Sequence, residues 1–197
     1  MDANWFESSD YSLSERDAKV LHVIGEDGLT TFTFEGLKRR LGLHQETLSR
    51  ILSRLEQQGI VEKGFEGYEI TSKGKELLSL HPLSAKQNHI SLLQALLPRD
   101  VPVDEIILDL KGKWFGELRW LGYSENEEGI ILKWITEDGK IQVDASFSYE
   151  SLSVEATLRQ ENDLNTALKA SYQLMAYVSK LYSKPKRARF DPYLTPA

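Results

Sequence analysis

The sequence of 197 residues contains no cysteine. This absence excludes a disulfide-stabilised scaffold, a thiol nucleophile and every cysteine-based zinc or iron–sulfur site. Long apolar runs are also missing, since stretches such as residues 130–132 are far shorter than the roughly 18 residues that span a bilayer. The first five residues lack the basic and apolar regions of a secretory signal. We therefore expect a chain without a membrane span that stays in the cytoplasm.

The composition that remains is that of an ordinary globular protein, with 27% charged and 41% hydrophobic residues. Its 24 Lys and Arg against 30 Asp and Glu give a net charge of −6, which argues against a protein that coats nucleic acid indiscriminately but allows a local basic face. The hydrophobic pattern changes near His81-Pro82, from a helical period to a period of two. We expect two separately folding domains, over residues 13–80 and 83–183, and a basic tail over residues 184–197.

The first part of the chain predicts three helices. Ser14 and Thr33 can cap the first two, and Gly42 supplies the left-handed turn that ends the second. The third helix runs over residues 45–58. Its buried stripe consists of leucine and isoleucine at positions i, i+3, i+4 and i+7, namely Leu48, Ile51, Leu52 and Leu55.

A small hairpin follows these helices. Residues 60–63 and 68–71 have strand composition, and the turn-forming residues 64–67 join them. A fourth helix is predicted over residues 73–80. Three helices, a hairpin and a trailing helix are the order of a winged helix-turn-helix.

Two motifs carry a resemblance to a known family. The run from Leu37 to Val61, with its sequence LKRRLGLHQETLSRILSRLEQQGIV, resembles the helix, turn, recognition helix and first wing strand of prokaryotic winged-helix regulators of the MarR-like kind. The run TSKGKELL, beginning at Thr71, is similar to their post-wing segment. His44 departs from the pattern because the family commonly has serine or a similar cap there. The resemblance implies a DNA-binding domain.

The outward face of the third helix then supplies the candidate base-reading residues. Arginine suits guanine edges, glutamine suits adenine, and serine is short enough to reach either a base or a phosphate. Two alternatives to base reading stay open: this face is only solvated, or it binds protein. The candidates are Gln45, Glu46, Ser49, Arg50, Ser53 and Arg54.

Candidate phosphate contacts lie on both sides of that helix. Residues 38–75 hold 8 basic and 5 acidic side chains, a local excess of the kind that phosphate contact needs. The wing tip offers Phe65 and Glu66 and no arginine, so we do not expect the wing to enter the minor groove. The candidates are Lys38, Arg39, Arg40, Lys63, Lys73 and Lys75.

The second part of the chain predicts a helix over residues 84–97, five strands within residues 103–158, and a long helix from residue 162 or 163 to about 182. The strands alternate in hydrophobicity, so one face of the sheet is dry and the long helix should cover it. The fold class is therefore α+β: an N-terminal winged helix-turn-helix followed by an antiparallel sheet domain covered by a long C-terminal helix.

Catalysis finds little support, because the four histidines lack metal-ligand spacing and no nucleophile motif or phosphate loop is present. We therefore expect that the protein is not an enzyme and binds neither a metal nor a cofactor. Trp114, Trp120 and Trp134 fill a sheet–helix core or line a small-molecule pocket under the helix. The expected function is sequence-specific binding of double-stranded DNA by a homodimeric transcriptional regulator, with a small-molecule effector as a further candidate partner. The alternative is a protein-interaction adaptor.

Overall fold

The computed structural model describes residues 13–79, 89–127, 129–148, 151–159 and 164–182. The predicted basic tail lies outside these residues. Within the described ranges no helix is long and apolar enough to cross a membrane. The elements in chain order are α1 (Glu15–Glu26), β1 (Thr31–Phe32), α2 (Phe34–Leu41), α3 (Gln45–Gln57), β2 (Val61–Lys63), β3 (Tyr68–Ile70), α4 (Ser72–Ser79), β4 (His89–Leu96), α5 (Val103–Leu110), β5 (Leu118–Asn126), β6 (Gly129–Thr136), β7 (Ile141–Ser148), β8 (Ser151–Leu158) and α6 (Leu164–Tyr182).

All eight strands belong to one antiparallel sheet, in the order β2-β3-β1-β5-β6-β7-β8-β4. The helix α6 packs on one face of this sheet. Its buried apolar stripe consists of Ala167, Ala170, Leu174 and Val178. The prediction of a mixed fold with an antiparallel sheet and a long C-terminal helix over it is therefore confirmed. The sheet also extends through both halves of the chain, which the sequence did not indicate.

Two predicted elements are wrong. The helix predicted over residues 84–97 is instead strand β4 where the structure describes it, because pairing with β8 outweighs the helical spacing of its leucines. The strand predicted over residues 103–110 is helix α5. The helix buries one face, because Ile106, Ile107 and Leu110 recur at helical spacing. Asp104 and Glu105 lie in its first turn, where negative charge is favourable. The next predicted strand, from residue 114, begins only at residue 118.

The helix caps follow the sequence. The Ser14 hydroxyl accepts a hydrogen bond from the Asp17 amide, and the Asp17 carboxylate accepts one from the Ser14 amide, which completes a capping box on α1. Thr33 caps α2 by accepting from the Gly36 amide. His44 makes no side-chain cap bond on α3, so that helix begins on backbone hydrogen bonds alone.

Two hydrophobic cores lie along the sheet. The larger core fills the space between α5, α6 and strands β4 to β8, and the smaller core is enclosed by α1 to α4. The smaller core is not built from the N-terminal helices alone, because Leu121 on β5 and Ile135 on β6 are fully buried within it. Separate folding of residues 13–80 stays a prediction, and it requires those helices to do without both side chains.

Strand β1 joins the two halves. Its two residues pair with β3 on one side and with β5 on the other, where Phe32 lies opposite Gly122. The amides of Thr30 and Thr33 donate to the carbonyls of Tyr123 and Leu121 at 3.0 and 2.9 Å. A Cβ atom at Gly122 would lie 2.1 Å from the Thr31 carbonyl oxygen, so this approach requires glycine.

A polar network supports the same junction. Asp27 at the end of α1 is fully buried, and its carboxylate accepts hydrogen bonds from Arg40 of α2 at 2.6 and 3.1 Å. Arg159, which follows β8, donates to the same carboxylate and to the Gln142 side chain on β7. The two guanidinium groups compensate the buried carboxylate from opposite halves of the chain.

We predict that Gly122→Ala weakens the junction, because the added methyl group meets backbone atoms that cannot rotate away. The free energy of unfolding should fall by about 1–3 kcal/mol, measured by urea denaturation. Gly59→Ala is the matched control, since Gly59 also has a positive φ but no heavy atom within 4 Å of the added Cβ. Losses of equal size in the two variants would mean that the β1–β5 approach contributes nothing specific.

Candidate nucleic-acid interface

Helix α3 presents an open polar face. Its apolar stripe is buried against the N-terminal core, while the opposite face is exposed over the length of the helix. This face carries five of the six predicted base-reading residues, Gln45, Glu46, Ser49, Arg50 and Ser53, together with Glu56 and Gln57. The structure thus places these five side chains on one accessible surface, as the helical spacing predicts.

Arg50 is the one exposed cation of this surface. Its side chain is 71% exposed and forms an ion pair with Glu46 one turn earlier, with 2.6 Å between Nη2 and Oε1. Exposed pairs of this kind contribute little to stability, so the guanidinium can exchange its partner at small cost. In the structure the Glu46 carboxylate therefore offsets the charge of Arg50.

The Arg54 side chain is bound to a carboxylate of α1. Its guanidinium donates to both carboxylate oxygens of Asp17, at 2.6 and 3.1 Å, and the Asp17 side chain is only 2% exposed. Burial acts to raise the pKa of Asp17, but hydrogen bonds from Arg54 and Ser14 outweigh it and hold that pKa below its usual value. Arg54 therefore ties α3 to α1 in the structure, and its place in the base-reading set stays a prediction.

All three predicted phosphate contacts on α2 form ion pairs within the chain. Arg40 bonds Asp27 and Glu26, Arg39 bonds Glu137 of the loop after β6, and Lys38 pairs with Glu35. Arg39 and Arg40 are 15% and 9% exposed at their side chains, so neither is displayed for a phosphate. The sequence pattern showed three adjacent cations, but it gave no sign of the distant carboxylates that bind two of them.

The cations near the hairpin are placed differently. Lys63 on β2 and Lys75 on α4 are exposed, and neither forms an ion pair with any residue that the structure describes. Lys73 is exposed as well, although its ammonium donates to the Gln58 carbonyl at 2.7 Å. Lys63 and Lys75 are therefore the residues of the phosphate set with a charge available to a partner.

The hairpin tip is fixed to the second half of the chain. The Glu66 carboxylate accepts hydrogen bonds from the Tyr123 hydroxyl at 2.9 Å and from the Lys111 ammonium at 3.1 Å. Burial acts to lower the pKa of Lys111, but the bond to Glu66 and the nearby Tyr123 raise it overall, so the ammonium stays charged. Phe65 beside this contact is fully exposed. Sequence reasoning missed Lys111 and Tyr123, which carry no local signal for this contact.

Of the three tryptophans considered for the core or for a small-molecule pocket, Trp120 and Trp134 lie in the core. Trp120 and Trp134 pack edge to face at 5.4 Å, and Phe115 packs on Trp134 at 5.5 Å. Trp114 is 64% exposed and lies against the Arg119 guanidinium. No group of three or more metal-ligating side chains occurs among the described residues.

We predict that Arg54→Ala destabilises the fold, because it leaves the buried Asp17 carboxylate without its cation. The loss should be about 1–3 kcal/mol at neutral pH. The pKa of Asp17 is lowered in the folded state, so the contribution is present above its ordinary value of 3.8 and is lost as the pH falls below it. The difference between wild type and variant should therefore shrink in acid.

Chemical denaturation at pH 7 and at several lower pH values measures this dependence. Arg50→Ala serves as the control, since its pair is exposed and the expected change is below about 0.5 kcal/mol. A pH-independent difference for Arg54→Ala would show that packing of its alkyl chain, and not the ion pair, stabilises the helix contact.

Comparison of the chain with protein-family models, with curated proteins and with solved structures finds no match. The resemblance of the α2–α3 and post-wing motifs to MarR-like regulators thus stands on those residues alone.

Proposed function

We propose that the protein is a DNA-binding transcriptional regulator in which residues 13–79 form a winged helix-turn-helix. The order α1-β1-α2-α3-β2-β3 and the strand order β2-β3-β1 support this assignment. The observation that carries the proposal is the open α3 face, which offers a guanidinium and two hydroxyl groups at helical spacing. A helix of this kind fits the major groove, where these groups recognise base edges.

The bound arginines narrow the set of proposed contacts. Arg50 reads a guanine after leaving Glu46, and Ser49 and Ser53 contact neighbouring bases or phosphates. Lys63 and Lys75 hold phosphates on the hairpin side of α3. Arg39, Arg40 and Arg54 support the scaffold and do not enter this proposal, since each is bonded to a carboxylate of the chain.

We predict that Arg50→Ala lowers affinity for the preferred duplex by on the order of 1–3 kcal/mol and relaxes the choice at one base position. Lys63→Ala should weaken binding to all sequences about equally and reduce the salt slope by about one. The preferred duplex is first found by selection from a random pool. The full chain is then titrated with this duplex and with duplexes of random sequence, at two salt concentrations.

The matched control is Lys169→Ala, which removes an exposed cation on α6, the helix that packs against the larger core. It should leave both the affinity and the base preference unchanged. No duplex binding at low salt, or equal small losses for Arg50→Ala on both kinds of duplex, would contradict recognition by α3.

A second candidate function is a protein-interaction adaptor that uses the same surface. Two observations favour it: most cations around α3 are neutralised within the chain, and the fixed hairpin tip presents the apolar side chain of Phe65. The duplex titration separates the two functions, because an adaptor shows no salt-dependent DNA binding.

The proposal includes a homodimer formed by the second half of the chain. One recognition helix reads only a few base pairs, and two-fold assemblies match two half-sites on DNA. The second half of the chain, from β4 onward, exposes several large apolar side chains, namely Leu96, Leu108, Trp114 and Tyr172. The proposed dimer brings these side chains into one contact surface, because contiguous apolar surface is what marks a chain–chain interface.

We predict that the purified chain has a mass of twice 22.5 kDa in solution. Light scattering at micromolar concentration, with DNA absent and present, measures it. A single-chain mass under both conditions would contradict the dimer while leaving DNA binding by one α3 helix open to the titration above.

A further inference from the structure

A cavity of about 410 Å³ lies on the side of the sheet away from α6, between the strands and the end of α1. Alternation along the strands places it there, because Leu132, Trp134 and Ala145 point into the core and their neighbours point the other way. Its size is that of a small-molecule site. The side chains that line its polar floor are Ser124, Lys133, Gln142, Asp144, Ser146 and Ser153.

Lys133 is the unusual residue of this floor. It is only 5% exposed in the middle of β6, and among the described residues its ammonium makes one hydrogen bond, to the Asp144 carboxylate at 2.7 Å. An ammonium group has three donors, and a buried charged group is costly when its donors lack partners. Lys133 therefore has donors left for an acceptor in the cavity.

Ser124 gives a second, independent observation. Its hydroxyl oxygen is buried on β5 and has no hydrogen-bond partner among the residues that the structure describes. Buried hydroxyl groups are satisfied in nearly all folded proteins, by the protein, by water or by a ligand. Since Ser124 and Lys133 line the same cavity, one bound molecule can satisfy both once the Ser124 side chain changes rotamer and turns its hydroxyl towards the cavity.

The charges around the cavity exclude an anion. Four carboxylates line it, those of Glu26, Asp27, Asp144 and Glu155, while Lys133 is the only lysine or arginine among the lining residues that the structure describes. Arg40 and Arg159 are not lining residues, and both are paired with Asp27. An anionic group beside Lys133 would also stand next to the Asp144 carboxylate and be repelled.

A hydroxyl group fits the Lys133–Asp144 pair better than any charged group. It accepts a hydrogen bond from the ammonium and donates one to the carboxylate, so a single oxygen serves both partners. The hydroxyls of Ser124, Ser146 and Ser153 likewise donate and accept. Only one apolar side chain, that of Ile131, lines the cavity, so burial of a large apolar surface does not drive binding there.

We propose that this cavity binds a small neutral molecule rich in hydroxyl groups, of the size of a monosaccharide or disaccharide. The site is independent of the proposed DNA contact, since no residue of α3 takes part. Its ligand touches the end of α1 and the strands together, which places it across the junction between the two halves of the chain.

The test titrates the full chain with glucose, ribose and trehalose separately, and with glucose 6-phosphate as the charged comparison. Amide nuclear magnetic resonance shifts are the readout. At least one neutral sugar should give saturable shifts at Ser124, Ser146 and Ser153, and glucose 6-phosphate should bind more weakly than glucose. Failure of all three neutral sugars, or tighter binding of the phosphorylated one, overturns the proposal.

Two variants check the position of the site. Ser124→Ala removes a hydroxyl that makes no protein hydrogen bond, so the variant should fold normally and bind the sugar about three- to tenfold more weakly. Lys133→Met should weaken binding by at least about tenfold. Ser91→Ala, an exposed change on β4 outside the cavity, is the control and should bind as wild type. Unchanged binding by a folded Ser124→Ala variant would refute the assignment.

Discussion

The backbone pairing of β1 with β5 is the contact on which the rest of the structure depends. Four residues around β1 bring a helical unit against the middle of a sheet formed 90 residues later in the chain. The approach is close enough that position 122 has no room for a side chain. Once it is made, Leu121 and Ile135 enter the N-terminal core, and Asp27 lies within reach of Arg159.

Local sequence signals predicted local structure well. The capping box of α1, the Thr33 cap, the Gly42 turn and the buried stripe of α3 all lie where side-chain chemistry and spacing indicated. These features depend on residues three or four positions apart, which a single sequence displays directly. The same holds for α6 and for most strands of the second half.

The errors arose where distant partners decide the outcome. The stretch that forms β4 has leucines at spacings that suit a helix or a strand, and pairing with β8 selects the strand. Arg54 and Arg40 resemble surface cations in the sequence, yet Asp17 and Asp27 bind them from positions 37 and 13 residues away. The cavity beside Lys133 left no sequence signal, because its lining comes from six separate elements.

The use of Leu121 and Ile135 in the N-terminal core also bears on the order in which the chain can fold during synthesis. The first 80 residues are synthesised before either side chain exists, so Phe32 and Leu37 begin with an incomplete enclosure. Contacts that close such long loops form late because of their entropic cost. The core of the N-terminal helices therefore stays partly exposed until the strands of the second half have formed.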